Sequence, residues 1–295
     1  MPHILRVTAV FLALLIGGCA PVLIVHQPVD ATLYPEPARD TITFWGHASV
    51  YLDIGGTGIV TDPVFEERYS IFHGRTVPRP PAEAYDQTSI ILISHAHHDH
   101  LQPKTLKRFP SRAIILCPEP SAKHVRDLGP HVLVMKPGDE YSFPGGKIIA
   151  VPAHHPGSRW IGKAAADGRA LGYIIQTSEG TVYFSGDTDY FDGMKEIGDR
   201  YRPDLAVLCV NAHLKPSDAV RAMQTLGTDR AIPVHMGAYG NRAGRRGQHY
   251  RTEFLELAGT KGIPLAVGQS LSLPALDAVG TLEEAPTGIS HAVSR

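Results

Sequence analysis

Six consecutive residues, His95-Ala96-His97-His98-Asp99-His100, constrain this chain more than any other stretch. Five of them carry lone pairs suited to a cation, and they follow directly on the apolar run Ser89-Ile90-Ile91-Leu92-Ile93-Ser94. Nothing between Ile90 and Ile93 faces water comfortably, so the run reads as a buried strand with the ligands at its end. Side chains two apart on a strand point the same way. His95 and His97 can therefore share one ion, while Asp99 and His100, past a turn, can reach a second. The chain has 16 histidines, and an isolated histidine is more often a surface or core residue than a ligand. An aspartate packed among histidines at a strand end has no comparable structural use, so the stretch reads as a metal site.

The same arrangement recurs along the chain. Apolar strands expected over 147–151, 181–184 and 231–234 run into His154-His155, Asp187 and His235. A further strand over 205–210 leads to Asn211-Ala212-His213, a weaker signal because no carboxylate or second histidine stands beside it. Strand-like stretches over 41–45, 49–53 and 59–62 open the domain as a hairpin or meander about a Gly-rich turn. Short helices are expected over 102–109 and 120–128, and a helix over 217–226 with Ser217 as N-cap. Alternating strands, hairpins and short helices point to a mixed α/β layered domain. Residues 63–84 read as a long loop forming a wall or lid of the site.

The 295 residues, 43% apolar and 19% charged, can bury a sizeable core. A net charge of -1 argues against a nucleic-acid binder, which needs many Lys and Arg to neutralise phosphates. The N-terminus reads as an export signal: Arg6 begins it, residues 7–16 are apolar but too short to span a bilayer, and Gly17-Gly18 precede Cys19. Leu15-Ile16-Gly17-Gly18-Cys19 resembles a bacterial lipobox, which implies cleavage before Cys19 and its lipidation, with a plain secretory signal as the alternative. Ala20 would favour the outer membrane facing the periplasm in a Gram-negative host. The expected organisation is a signal peptide over 1–18, a Pro-rich tether over 19–40, a folded domain over 41–274 and a disordered tail over 275–295. Cys117 and Cys209 fall in or beside strands and suit the core, with no pairing implied by sequence.

Taken together, the motif His95-x-His97-x-Asp99-His100, then His155, Asp187 in Ser-Gly-Asp-Thr and His235 in Pro-Val-His resemble a metallo-β-lactamase-fold hydrolase. The resemblance covers about residues 41–268 and implies an αββα sandwich, two mixed β-sheets flanked by helices, with the site at their mouth. Phe44-Trp45-Gly46-His47-Ala48-Ser49, Val151-Pro152-Ala153-x-His155 with Arg159, Phe184-Ser185-Gly186-Asp187-Thr188 and Pro203-Asp204-Leu205 are most similar to one branch. It holds the N-acyl-phosphatidylethanolamine phospholipase D enzymes and ascorbate-6-phosphate lactonase-like proteins. The family pattern selects His155 over His154. It implies His95, His97 and His155 on one metal and Asp99, His100 and His235 on the other, with Asp187 and a hydroxide bridging them. Zn²⁺ suits this donor set, with Mn²⁺ or Fe²⁺ as alternatives, and Asp99 and Asp187 are the implied catalytic carboxylates.

His47, Arg159, Arg242, Arg245 and Arg246 are candidate substrate contacts, the last three in a Gly-rich loop after His235. His154, Trp160, Asn211, His213 and His249 are pocket candidates without a derived role. The expected function is a membrane-associated phosphodiester hydrolase of the phospholipase D type, acting on a lipid or other small molecule. A lactonase or carboxylic ester hydrolase is the close alternative, and an inactive metal-binding lipoprotein the alternative of another class. An intact Asp187 argues against a true β-lactamase, which generally lacks that aspartate. Redox relatives of the fold, such as sulfur dioxygenases and flavodiiron proteins, form a further class.

Overall fold

The structure is a computed structural model that describes residues 39–70, 73–155, 170–236, 238–240 and 242–273. The expected signal peptide with Cys19, nearly all of the tether, Arg159, Trp160 and the tail lie outside the described residues. In chain order the strands are β1 (Thr41–Gly46), β2 (Ser49–Ile54), β3 (Thr57–Thr61), β4 (Arg68–Ser70) and β5 (His73–Arg75), before helix α1 (Ala82–Asp86). Next come β6 (Thr88–Leu92), α2 (Pro103–Leu106), β7 (Ile114–Pro118), α3 (Glu119–Ala122), β8 (His131–Met135) and β9 (Glu140–Phe143). The second half holds β10 (Gly146–Ala153), β11 (Ala170–Thr177), β12 (Gly180–Phe184), α4 (Met194–Tyr201), β13 (Leu205–Cys209) and α5 (Pro216–Leu226). It closes with β14 (Ala231–Val234), β15 (Tyr239–Gly240), α6 (Arg242–Ala258) and β16 (Ser270–Ser272).

Two mixed sheets face one another, in the orders β16-β1-β2-β3-β6-β7-β8 and β14-β13-β12-β11-β10-β9. Strand alternation builds the layers. Ile90 and Leu92 of β6 meet Ile148 and Ala150 of β10, with Tyr173, Ile175, Phe184 and Val207, in the core between the sheets. Their neighbours Ile91 and Ile93 turn outward into a second core with Tyr85 of α1, Leu106 of α2 and Ala122 of α3. Ile149 and Val151 likewise face a third core with Met194 and Ile197 of α4, Met223 and Leu226 of α5, and Phe254 of α6. The expected αββα sandwich is therefore the observed architecture.

Parallel pairing aligns β3 with β6 and β7 in one sheet, and β12 with β13 and β14 in the other. Antiparallel neighbours in pairs return β1 and β10 to the same directions. The carboxyl ends of these strands thus gather at one edge, the usual place for a ligand in such sheets. Cross-links hold that edge together: Tyr173 Oη donates to the carbonyls of Ile93 (2.8 Å) and Leu116 (3.2 Å), and Leu171 N donates to Ser94 O at 2.9 Å.

Several local expectations change. Residues 63–84 are not all loop: β4 and β5 form a third, three-stranded sheet with β15. Buried Arg75 anchors it by donating to the carbonyls of Trp45, Val64 and Pro78. Tyr239 Oη donates to Val64 O at 2.9 Å while its ring lies 5.7 Å from that of His47, so this sheet is a wall beside His47. The helix expected over 120–128 is only α3, because later amides of His124, Val125 and Leu128 bond three residues back. The helix expected over 102–109 shortens to α2 for the same reason at Arg108 and Phe109. Lys215, not Ser217, is the N-cap of α5, with Pro216 in the first turn where a missing N–H costs nothing. Arg242, Arg245 and Arg246 belong to α6 rather than to a loop. Among the described residues Cys117 and Cys209 are buried free thiols, and no helix is long and apolar enough to cross a membrane.

Gly186 shows how closely the sheets approach at the site. Its φ is +53°, and a Cβ there would lie 2.5 Å from Ser94 Cβ and 2.9 Å from Leu171 O. Gly186→Ala is expected to lose about 1–3 kcal/mol of stability from overpacking, with left-handed strain added. Urea denaturation with an unchanged m-value checks this, and a variant within 0.5 kcal/mol of wild type would contradict it.

Candidate metal centre

Each strand exit contributes a donor. β6 delivers residues 95–100, β10 delivers His155, β12 delivers Asp187, and β14 delivers His235. Three side chains form one group: His95 Nε2 lies 2.9 Å from His97 Nδ1, which lies 3.2 Å from His155 Nε2. A second group holds Asp99, His100, His235 and also His47. Here His235 Nε2 stands 3.0 Å from His100 Nε2, and Asp99 Oδ2 is 3.6 Å from the Nε2 atoms of both His47 and His235. Asp187 sits between the groups. Its Oδ1 is 3.4 Å from the Nε2 atoms of His100 and His235, and its Oδ2 is 3.9 Å from His155 Nε2.

His154 is exposed and turns away to stack on Phe191 at 4.0 Å, so His155 is the residue that enters the group. Both histidines lie just past the end of β10, where the chain leaves the strand, and there His155 is buried while His154 is exposed. His213 borders the site, its ring 4.4 Å from that of His155 and its Nδ1 3.4 Å from Asp189. His249 instead lies on the exposed face of α6 near Glu253, and Arg245 and Arg246 are exposed there too.

Asp62 was not among the residues singled out from sequence, although it stands at the exit of β3 as the others do at theirs. Fully buried, it accepts from Ser94 N (2.7 Å) and Ser94 Oγ (2.6 Å), and from His100 Nδ1 (2.7 Å). Because the Ser94 hydroxyl donates to Asp62, its lone pair is left to accept from His95 Nδ1 at 2.9 Å. One carboxylate thereby places the ring protons of two histidines on Nδ1 and turns both Nε2 lone pairs toward the site. The grouping of Asp62 with His95 and His100 is thus a hydrogen-bond network rather than a third cation site. His47 and His235 owe their placement to backbone: both have positive φ, +57° and +79°. They are held by His47 N donating to Met236 O (2.9 Å) and His235 N donating to His47 O (2.7 Å).

The donor set fits a divalent cation. Burial pulls the imidazoles of His47 and His155 down to about 4, and it also lowers His97 and, far more, His95. The nitrogens of His95, His97 and His155 face one another within 3.2 Å, and the lowered values keep their lone pairs available to a cation. Burial opposes ionisation of Asp99 and Asp187, but neighbouring histidines, His100 in both cases and His235 at Asp187 above all, hold both carboxyls well below the usual range. For His100, burial is outweighed by Asp187 and Asp62, which raise it well above its ordinary value. Buried His97 Nε2 and His155 Nδ1 have no hydrogen-bond partner, so the convergence itself orients those rings.

Two outcomes follow. Asp62→Asn, which keeps volume but loses the anionic acceptor, is expected to weaken metal binding about 10–100-fold in chelator competition; unchanged affinity would remove Asp62 from the centre. In metal-free protein, His155 ionises near 4 when folded and near 6.5 when unfolded. The unfolded chain therefore takes up this proton first, and stability declines as pH falls from about 6.5 to 4, by up to about 1.4 kcal/mol per pH unit per group. His155→Asn is expected to flatten that slope in denaturant titrations across the window.

With the geometry in view, comparison with known proteins places the chain. A β-lactamase superfamily domain profile matches residues 57–236. A UPF0173 metal-dependent hydrolase from Exiguobacterium sp. is 32% identical over 201 residues, 67% of this chain and 86% of its own. Among solved structures, Igni18, a metallo hydrolase from the archaeon Ignicoccus hospitalis, superposes with TM-score 0.60 at 22% identity over 78% of this chain and 97% of its own. An isothiocyanate hydrolase from Delia radicum gut bacteria gives 0.63 at 22% identity over 78% and 98%. The fold, the gathered His and Asp side chains and these matches agree: the chain belongs to the β-lactamase superfamily and, within it, to the UPF0173 metal-dependent hydrolases.

Proposed function

We propose that the chain is an exported, lipid-anchored dinuclear hydrolase that cleaves a phosphodiester in an N-acyl phospholipid-like substrate. The observation that supports two ions is the position of Asp187, one oxygen facing His100 and His235 and the other facing His155. His95, His97 and His155 would hold one ion, and Asp99, His100 and His235 the other. When bound, such ions lower the pKa of coordinated water to about 7 and polarise the oxygen under attack.

The protein's own groups supply the rest. Asp99, at 26% side-chain exposure, is reachable by solvent and can orient a water as a hydrogen-bond acceptor. His47 packs against the His235 ring at 4.3 Å and reaches Asp99, which places it to hold that carboxylate and to touch substrate. Arg159 and Arg242 are the proposed contacts to an anionic head group, whereas Arg245 lies with His249 on the exposed face of α6. The lipobox-like Leu15–Cys19 sequence and the Phe44–Ser49 motif favour a lipid substrate.

Purified protein is expected to carry two metal ions per chain and to cleave N-acyl phospholipids in a panel that also contains simple phosphodiesters and lactones. Asp187→Ala should lose at least about 100-fold in activity, more than is typical for loss of an outer partner. Activity on lactones alone would replace the phosphodiester reading, and iron loading with oxygen consumption would replace hydrolysis. If Asp99→Asn and His235→Ala left metal content and every activity unchanged, the chain would be a binding lipoprotein. For the anchor, labelled palmitate should be incorporated by wild type and not by Cys19→Ala.

A further inference from the structure

We infer that Asn211 is a positioning residue that locks the Asp187 carboxylate across the two donor groups and thereby governs the ion on the His100 and His235 side. The inference rests on the reading of Asp187 as a bridging ligand. Asn211 stands at the exit of β13, 8% exposed, in the same row of strand ends as the ligands. Its Nδ2 donates to Asp187 Oδ1 at 2.8 Å. That oxygen is the one 3.4 Å from both His100 Nε2 and His235 Nε2.

The orientation of the amide is not arbitrary. Asn211 Oδ1 accepts from His213 N at 2.7 Å and from Leu214 N at 3.3 Å, while Asn211 N donates to Leu214 O at 3.1 Å. A flipped amide would set its NH₂ against two N–H donors and its oxygen against a carboxylate, losing all three side-chain bonds. The turn from Asn211 to Leu214 thus presents a fixed N–H to Asp187.

A carboxylate turns readily about its final torsion, whose well is broad. With Oδ1 held by Asn211, that oxygen stays 3.4 Å from the His100 and His235 nitrogens and Oδ2 is left 3.9 Å from His155. Without the amide donor, the same carboxylate can swing out of the common plane. An ion held on the His100 and His235 side would then lose most, whereas the group of His95, His97 and His155 keeps its three imidazoles.

The test is stepwise Co²⁺ titration of metal-free full-length protein, followed by visible absorption and by the magnetic coupling between the two ions. Asn211→Asp keeps an acceptor for His213 N and Leu214 N but cannot donate to Asp187, and Asn211→Ala removes both functions. Both variants are expected to bind the first ion as wild type does and the second about 10–100-fold more weakly, with reduced coupling. A normal second ion in Asn211→Asp together with a weak one in Asn211→Ala would show that the residue only holds its turn, and would overturn the inference. Asn211→Ser, uncharged and too short to reach Asp187, carries the same comparison if the paired carboxylates stop Asn211→Asp from folding. If wild type itself binds only one ion, the dinuclear reading falls and this inference with it. Two normal ions in every variant would sink the inference alone.

Discussion

The buried carboxylate of Asp62 is the interaction on which the rest of the centre depends. It receives three hydrogen bonds from Ser94 and His100, at the junction of the β3 and β6 exits, with no access to solvent. Burial raises its pKa, and the donors around it counter that effect. A buried carboxylate is costly unless its lone pairs are satisfied. Here that satisfaction also dictates which nitrogen of His95 and of His100 is free for a cation. The network therefore couples two residues that belong to different donor groups through a single side chain.

The sheets provide the frame for this chemistry. Parallel and doubly antiparallel pairings bring the β1, β3, β6, β10, β12, β13 and β14 exits to one edge, so short peptide segments place His47, Asp62, His95, His155, Asp187, Asn211 and His235 together. Gly186 permits the closest approach of the two halves, and Tyr173 spans them with two hydrogen bonds to opposite-sheet carbonyls. Rigid strand ends hold ligand geometry more closely than loops do. The positive φ of His47 and His235 is stabilised because each backbone bonds to the other's segment.

Much of the donor set was legible in sequence because each ligand follows an apolar strand, and strand periodicity is readable from composition alone. Asp62 and Asn211 were harder to see. Asp62 sits in Thr-Asp-Pro after a strand, a pattern that also marks ordinary turns. Asn211 lacks a charged neighbour, and its value lies in an amide oriented by two backbone N–H groups. The helix over 120–128 is shorter than expected: Pro120 suits a first turn and Gly129 a stop, but the amides of His124, Val125 and Leu128 close three-residue turns between them.

The linear order of residues determined a mixed α/β layered domain and put His or Asp at the ends of several apolar strands, since buried strands and the groups that end them are local properties of the chain; the αββα form and the full donor set came from the family resemblance. The family resemblance implied His155 over His154 and Asp187 between two groups, and the structure places both side chains so; tertiary structure alone decided that His47 stands beside Asp99. It also decided that the arginines after His235 ride on a helix. These outcomes depend on strand register and on contacts between residues far apart in sequence, which are set only when the two sheets pack.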